Sequence, residues 1–202
     1  MSFMLWRSVF LLSCFVVLGT IAPAKAHPHV FVEVHSVYLF DEKGQLNAVR
    51  EVWSFDSFFS TMLVEEFDKD QSGSFDAEEI ADLKRDAFDS TAEFNYFTHI
   101  LVDGALRPVS GIDHFEAKLI GDSLVYVFTV QLDAPVDPRR HRLTLGLYDP
   151  SFYVDVALAE GEANRAEQMP SGCSFVMEED SLNPIYYGMV YPYVTRIACA
   201  AG

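Results

Sequence analysis

Positive charge is scarce in this 202-residue chain: 14 Lys and Arg stand against 30 Asp and Glu, for a formal net charge of −16 at pH 7. A surface of that sign repels nucleic acid and anionic lipid while gathering cations, which excludes a DNA or RNA role. The signatures of common catalytic classes are missing as well. The sequence holds no G-x-S-x-G, no H-E-x-x-H and no phosphate-binding glycine loop. Its longest apolar run, Ser8 to Ala22, is too short to span a bilayer comfortably, and only three cysteines occur.

That apolar run belongs to an export signal. Arg7 precedes it, and Ala24-Lys25-Ala26 forms an A-x-A cleavage site, so residues 1–26 read as a signal peptide and 27–202 as the mature chain. The expected destination is a bacterial periplasm, with no stable membrane insertion after cleavage. Leu11-Leu12-Ser13-Cys14 offers a rival lipoprotein reading, which would leave an unusually apolar new terminus. Loss of Arg7 and Lys25 takes the mature net charge to about −18. In an oxidising compartment Cys173 and Cys199 read as a disulfide, whereas a thiolate metal pair would need close neighbours that the spacing does not provide.

Acidic residues concentrate in Asp68 to Glu79, D-K-D-Q-S-G-S-F-D-A-E-E, which resembles an EF-hand calcium loop. Oxygen donors fall at alternate places: Asp68, Asp70, Ser72, the Ser74 carbonyl and Asp76, with Glu79 closing the loop at the twelfth. Calcium wants roughly 6 to 8 oxygens, and donors two residues apart wrap one ion only if the chain turns sharply midway. Gly73 supplies the turn, and Phe75 is expected to point into apolar surroundings. Upstream, Phe59, Met62, Leu63 and Phe67 recur at near-helical spacing; downstream, Ile80, Leu83, Ala87, Phe88 and Phe94 predict a helix over 77–97. Ser72 stands where an Asp or Asn is usual, leaving four carboxylates in the cage and a weak affinity. The plain alternative is a solvated acidic helix–turn–helix.

Elsewhere the chain alternates with period two. His29 to Phe40 puts Val30, Val32, Val34, Tyr38 and Phe40 on one face and His29, Phe31, Glu33, His35 and Val37 on the other. Residues 46–55 return after the turn residues Asp41 to Gly44, and further strands are predicted over 98–104, 112–120, 123–132, 142–148 and 152–158. Gly121-Asp122 marks a tight hairpin, 161–172 a polar loop, and the tail from Cys173 to Cys199 is rich in tyrosine. The expected fold is α+β, an antiparallel β-sandwich in one domain with a helix–loop–helix insertion at about 56–97.

Three of six histidines fall within nine residues at the new terminus. His27, His29, Glu33 and His35 are candidate ligands for zinc, nickel, cobalt or copper. On a strand, residues two apart lie about 6.8 Å from one another, so His27 with His29, or Glu33 with His35, could share an ion. Pro28 lacks the amide that the square-planar amino-terminal copper and nickel site requires. The competing reading is of ordinary exposed histidines; His99, His114 and His141 read as lone surface or packing residues.

Several stretches together resemble a bacterial periplasmic family of unknown function, labelled the periplasmic component of an uncharacterised ABC-type transport system. They are His27-Pro-His-Val-Phe31, Val52-Trp-Ser-Phe-Asp56, the acidic loop, Phe94-Asn-Tyr-Phe97, Leu143 to Phe152 and Gly172-Cys173. The resemblance implies an accessory role in divalent transition-metal handling beside a membrane permease. The expected function is therefore a non-enzymatic, calcium-binding export product. A copper enzyme built on His27, or a pure protein-interaction module using the tyrosine-rich tail, are the alternatives.

Overall fold

A computed structural model describes residues 28–159 and 164–200. The export signal, the lipoprotein motif at Cys14 and His27 lie outside the described residues. The chain opens with β1 (Val30–Phe40) and β2 (Leu46–Phe55), continues through helices α1 (Ser57–Phe67) and α2 (Ala77–Leu83), and returns to strands. These are β3 (Thr98–Val102), β4 (Ala105–Arg107), β5 (Val109–Ile120), β6 (Ser123–Val136), β7 (Leu143–Leu147), β8 (Val154–Leu158), β9 (Arg165–Glu167), β10 (Cys173–Glu179) and β11 (Tyr193–Cys199). One sheet runs β5-β6-β2-β1-β8, with β9 also paired to β1; the other runs β10-β11-β7-β3-β4. The protein is α+β, as expected.

The expected all-antiparallel arrangement is corrected in the first sheet, which is mixed. Strand β8 lies parallel to β1 along Val30–Val34, and β9 lies parallel to it along Val37–Leu39. The cause is the route of the chain. It leaves β7 in the second sheet, turns at Asp149, and enters the first sheet from the side where β1 begins. The Asp149 carboxylate is buried and accepts from Ser151 Oγ and the Ser151, Tyr153 and Val154 amides at 2.8 to 3.0 Å. That turn uses residues 149–153, so β8 starts at Val154 and not at the expected Phe152. Gly121 has φ 62°, and Ile120 pairs with Ser123 across the predicted hairpin.

One face of the first sheet is covered by two different partners. Val30, Val32, Val34, Trp53, Phe55, Tyr126 and Phe128 pack under the helices with Leu63, Phe67, Leu83 and Phe88. Farther along the same face, Tyr38, Phe40, Leu46 and Val49 meet Ile100, Val102, Leu143, Leu145 and Ile197 of the second sheet. The alternation of β1 is thus realised as read: Phe31, Glu33 and His35 point to the outer face. At the divide sits Glu51, fully buried, paired across strands with Ser36 on one side and Phe128 on the other. Trp53 Nε1 donates to its Oε2 at 2.7 Å and Thr98 Oγ1 donates to its Oε1 at 2.8 Å, which ties the first sheet to the second.

Helix α1 is capped by Asp56, whose Oδ1 accepts from the Phe58 and Phe59 amides at 2.9 and 3.0 Å. It turns Leu63 and Phe67 inward but leaves Met62 half-exposed, so Met62 is not on the buried stripe. Ser60 anchors the helix to β6: its buried Oγ accepts from the Leu124 amide at 2.8 Å. Ser60→Ala strands that amide and should lower stability by roughly 1 to 2 kcal/mol, read from the urea midpoint of the two proteins.

The single helix expected over 77–97 does not run through. Helix α2 ends at Leu83, a π-helical turn follows over Lys84–Phe88, and a 3-10 segment occupies Asp89–Phe97. Leu83 and Phe88 are five residues apart and both wholly buried; a wider turn brings them to one face, which regular 3.6-residue spacing would not. The 3-10 segment then breaks at Asn95, Tyr96 and Phe97, with φ 53° to 54°. Cys173 and Cys199 are directly opposite at the end of the β10–β11 ladder and form a disulfide. The bond suggests an oxidising, extracytoplasmic location. Among the described residues no helix is long and apolar enough to cross a membrane.

Candidate metal centre

The loop from Asp68 to Glu79 is shaped by its own carboxylates. Asp68 follows the last turn of α1 and its oxygens accept from the Ser72 and Gly73 amides, both at 2.9 Å. Gly73 takes φ 78°, a conformation open to glycine at little cost. Asp76 caps α2, accepting from the Glu78 and Glu79 amides at 2.8 and 2.9 Å, while Glu79 Oε2 accepts from the Asp76 amide at 2.9 Å. This reciprocal box fixes Glu79 at the third helical position. Its other oxygen, Oε1, reaches back across the loop to the Lys69 amide at 2.8 Å.

The result is convergence. Asp68, Asp70 and Glu79 each bring a carboxylate oxygen within 4.8 Å of the others, a group that could hold a metal ion. Asp68 and Glu79 are buried and Asp70 is exposed. Hydrogen bonds from Ser72 hold the Asp70 carboxyl below its usual range, so it stays ionised. The nearby Lys69 ammonium is turned to Asp82 instead. Three carboxylate oxygens without a nitrogen or sulfur donor suit a hard cation that prefers oxygen.

The remaining residues of the predicted cage lie in the same loop but are engaged otherwise. Ser72 Oγ donates to the Ser74 carbonyl at 2.9 Å, and the Asp76 carboxylate is taken up by the helix cap. Phe75 packs against the core beneath the helices, as its place in the pattern implies.

Among the described residues the histidines do not gather. His29 is exposed, with its amide donating to the Tyr153 carbonyl at 2.9 Å and its ring 4.9 Å from that of Tyr153. Glu33 and His35 are neighbours on the outer face, Oε1 to Nε2 3.6 Å. Among the described residues the carboxylate trio is the one group of three or more potential ligands. His99 is buried against Tyr148, ring centroids 4.0 Å apart, and burial pushes its pKa down. His141 meets Asp103 at 2.7 Å.

Sequence reading passed over Glu51, although a signal existed. It is the lone acid in the series Val49, Glu51, Trp53, Phe55, whose other members are all core residues. Burial raises its pKa from 4.5 to about 7, offset in part by the hydrogen bonds from Thr98 and Trp53.

Comparison with known proteins places the chain in a family. The sequence model of the family described as "Protein of unknown function (DUF1007)" matches residues 12–186, and the chain belongs to it. A protein of Spirochaeta aurantia described as an uncharacterized 15.5 kDa protein in the trpE 3' region is 26% identical over 131 residues, covering 64% of this chain and 93% of the relative. An uncharacterized protein of Haemophilus influenzae is 22% identical over 175 residues, 86% of this chain and 81% of its own length. The matched span includes the acidic loop, Glu51 and Cys173, and stops short of Cys199.

Proposed function

We propose that this member of the DUF1007 family is an exported, non-enzymatic protein that binds calcium in an EF-hand-like loop between α1 and α2. The observation that carries the reading is the approach of the Asp68, Asp70 and Glu79 carboxylates to within 4.8 Å of one another. Ser72, the Ser74 carbonyl and Asp76 would complete the oxygen set. A bound ion supplies positive charge where three carboxylates meet. The chain's own part is to draw the end of α1 and the start of α2 together and hold their apolar faces on the sheet.

Affinities of about 0.1 to 1 mM are typical of extracellular modules of this kind, so about 10 mM calcium should add roughly 1.4 to 2.7 kcal/mol of stability. Asp70→Asn is the discriminating variant. Asp70 is exposed, and Asn retains an oxygen for the Ser72 amide, so stability in chelator should be unchanged while most of the calcium increment disappears. Glu79→Gln is less clean, because both Glu79 oxygens already serve backbone amides. Coincident urea curves with calcium and with chelator would remove calcium from the reading.

An accessory role in divalent transition-metal handling beside a membrane permease rests on the family resemblance and on the Glu33–His35 pair. Zinc, nickel, cobalt and copper titration of protein bearing its native His27 terminus tests it. Micromolar binding lost in a His27→Ala, His29→Ala variant supports the role, and equal heats from both proteins dismiss it.

A further inference from the structure

Strand β8 stands at one end of the first sheet, paired with β1 on one side and, among the described residues, with no strand on the other. The parallel ladder fixes which of its groups are taken: the Ala159 amide donates to the Val34 carbonyl at 3.0 Å. Amides alternate in direction along a strand, so those of Asp155 and Ala157 face β1 as well, while the amides and carbonyls of Val156 and Leu158 point away from it. Open sheet ends are usually blunted, and the other ends here follow the rule. Strand β5 is broken by two shifts of register, β4 has three residues, and β10 finishes on Glu178 and Glu179. Strand β8, by contrast, keeps an unbroken register with β1 and holds no proline or lysine.

A cleft of about 450 Å³ runs along that edge. Every residue from Val154 to Ala159 touches it, the core-facing Val154, Val156 and Leu158 together with Asp155 and Ala157 of the opposite face, which a cavity over a single face of the strand would not reach. Across the cleft stand Met177 of β10 and Ile185, Val190 and Tyr191 of the connection to β11. Asp149 and Asp155 are the charged residues of the lining, with no Lys, Arg or His among the described ones. Asp149 is saturated by its own turn. The Asp155 carboxylate has no hydrogen bond or ion pair among the described residues, and partial burial raises its pKa above the usual range, so a cation beside it would be welcome.

We propose that β8 accepts an extended, basic peptide segment of a partner protein as a further strand, its apolar side chains entering the cleft and a Lys or Arg between them lying beside Asp155. Each part of that description answers a feature of the edge. Outward backbone groups at Val156 and Leu158 match an extended chain, which presents donors and acceptors at the same repeat. Apolar walls on both sides take alternate side chains of such a chain. The uncompensated carboxylate selects a cation for the residue between them, and the formal charge of −16 draws a basic segment in. A second copy of this chain suits the edge badly, because it would bring two such acidic surfaces and both Asp155 carboxylates together. Five residues at roughly 3.3 Å each give an edge of about 17 Å, the length of a short linear motif.

Hydrogen exchange at single amides, followed by NMR at fixed calcium, makes the test with two blocked peptides, Val-Lys-Val-Lys-Val-Lys-Val and Val-Glu-Val-Glu-Val-Glu-Val. Saturation with the lysine peptide should slow exchange at Val156 and Leu158 about tenfold or more and leave Ala159, already bonded to β1, as it was. The glutamate peptide should bind about tenfold more weakly at low salt. Asp155→Asn should weaken the lysine peptide about threefold, the worth of one cross-strand charge pair, while saturation still protects the same two amides. The proposal is overturned if the lysine peptide does not bind at millimolar concentration, or binds without slowing those amides, which would be mere attraction to an acidic surface. It is equally overturned if the glutamate peptide binds as well, or if Asp155→Asn leaves the lysine peptide's affinity unchanged. Protection of both amides that grows with protein concentration alone would assign the edge to a second copy and overturn it too. Calcium binding can fail or succeed without altering these outcomes.

Discussion

Glu51→Gln should abolish a pH-dependent component of stability worth about 3 kcal/mol between about pH 5 and pH 8. The folded-state pKa of about 7 lies above the ordinary 4.5, so folding favours the protonated acid. The contribution is therefore intact below the unfolded pKa and declines as pH rises through 7, where a buried carboxylate must either ionise or hold its proton. Facing groups relieve it only in part. Thr98 and Trp53 donate hydrogen bonds, Ser36 and Phe128 are its cross-strand neighbours, and no described cation pairs with it.

Glutamine fits the same place. Its oxygen can accept from Trp53, and its amide can donate to Thr98 Oγ1, whose own proton has the Tyr96 carbonyl at 3.1 Å as an alternative acceptor. Urea midpoints across that range, at fixed calcium, should fall with pH more steeply in the native protein than in the variant. Parallel slopes would mean that Glu51 is ionised throughout.

The second large effect is expected from the disulfide. Reduction, or replacement of Cys173 and Cys199 together by serine, should lower stability by about 3.5 kcal/mol, the loop-entropy value for a separation of 26 residues. The loss should be felt beyond the tail. Strand β11 carries Val194 and Ile197 into the core and places Thr195 where the Tyr38 hydroxyl donates to it, so loosening the last ladder disturbs the contact between sheets. Denaturation with and without reductant measures this, and the double variant should coincide with the reduced native protein. A midpoint indifferent to reductant would contradict the expected gain.

Much of the sheet structure was legible because alternation is a local signal. The β1–β2 hairpin, the two faces of β1 and the Gly121 turn follow from residues within ten positions of one another. The parallel pairing of β8 and β9 with β1 did not, since it depends on a turn at Asp149 whose carboxylate gathers four hydrogen bonds only once the chain is folded. The long second helix failed for a related reason. Spacing from Ile80 to Phe94 admits a helix, but the burial of Leu83 with Phe88 demands a wider turn. At the loop, the positions of Asp68, Asp70 and Glu79 were readable from their intervals, and the structure brings these three together. The Tyr126 hydroxyl, buried without a described hydrogen-bond partner, was not readable, because its neighbours Phe55, Phe88 and Phe115 come from three separate segments.

The first sheet, roofed in one half by helices and in the other by a second sheet, divides the molecule into two thermodynamic compartments along the row Ser36, Glu51 and Phe128. Only the sheet half is stitched on both sides by interstrand ladders. The helical half, held by side-chain packing, the Ser60 tether to β6 and hydrogen bonds at its two ends, where Asp56 meets Phe31 and Phe97 meets Tyr148, is the part suited to sub-global opening while the ladders stay closed. An ion captured at its tip would act on the looser compartment, where even a modest affinity would shift the balance between open and shut.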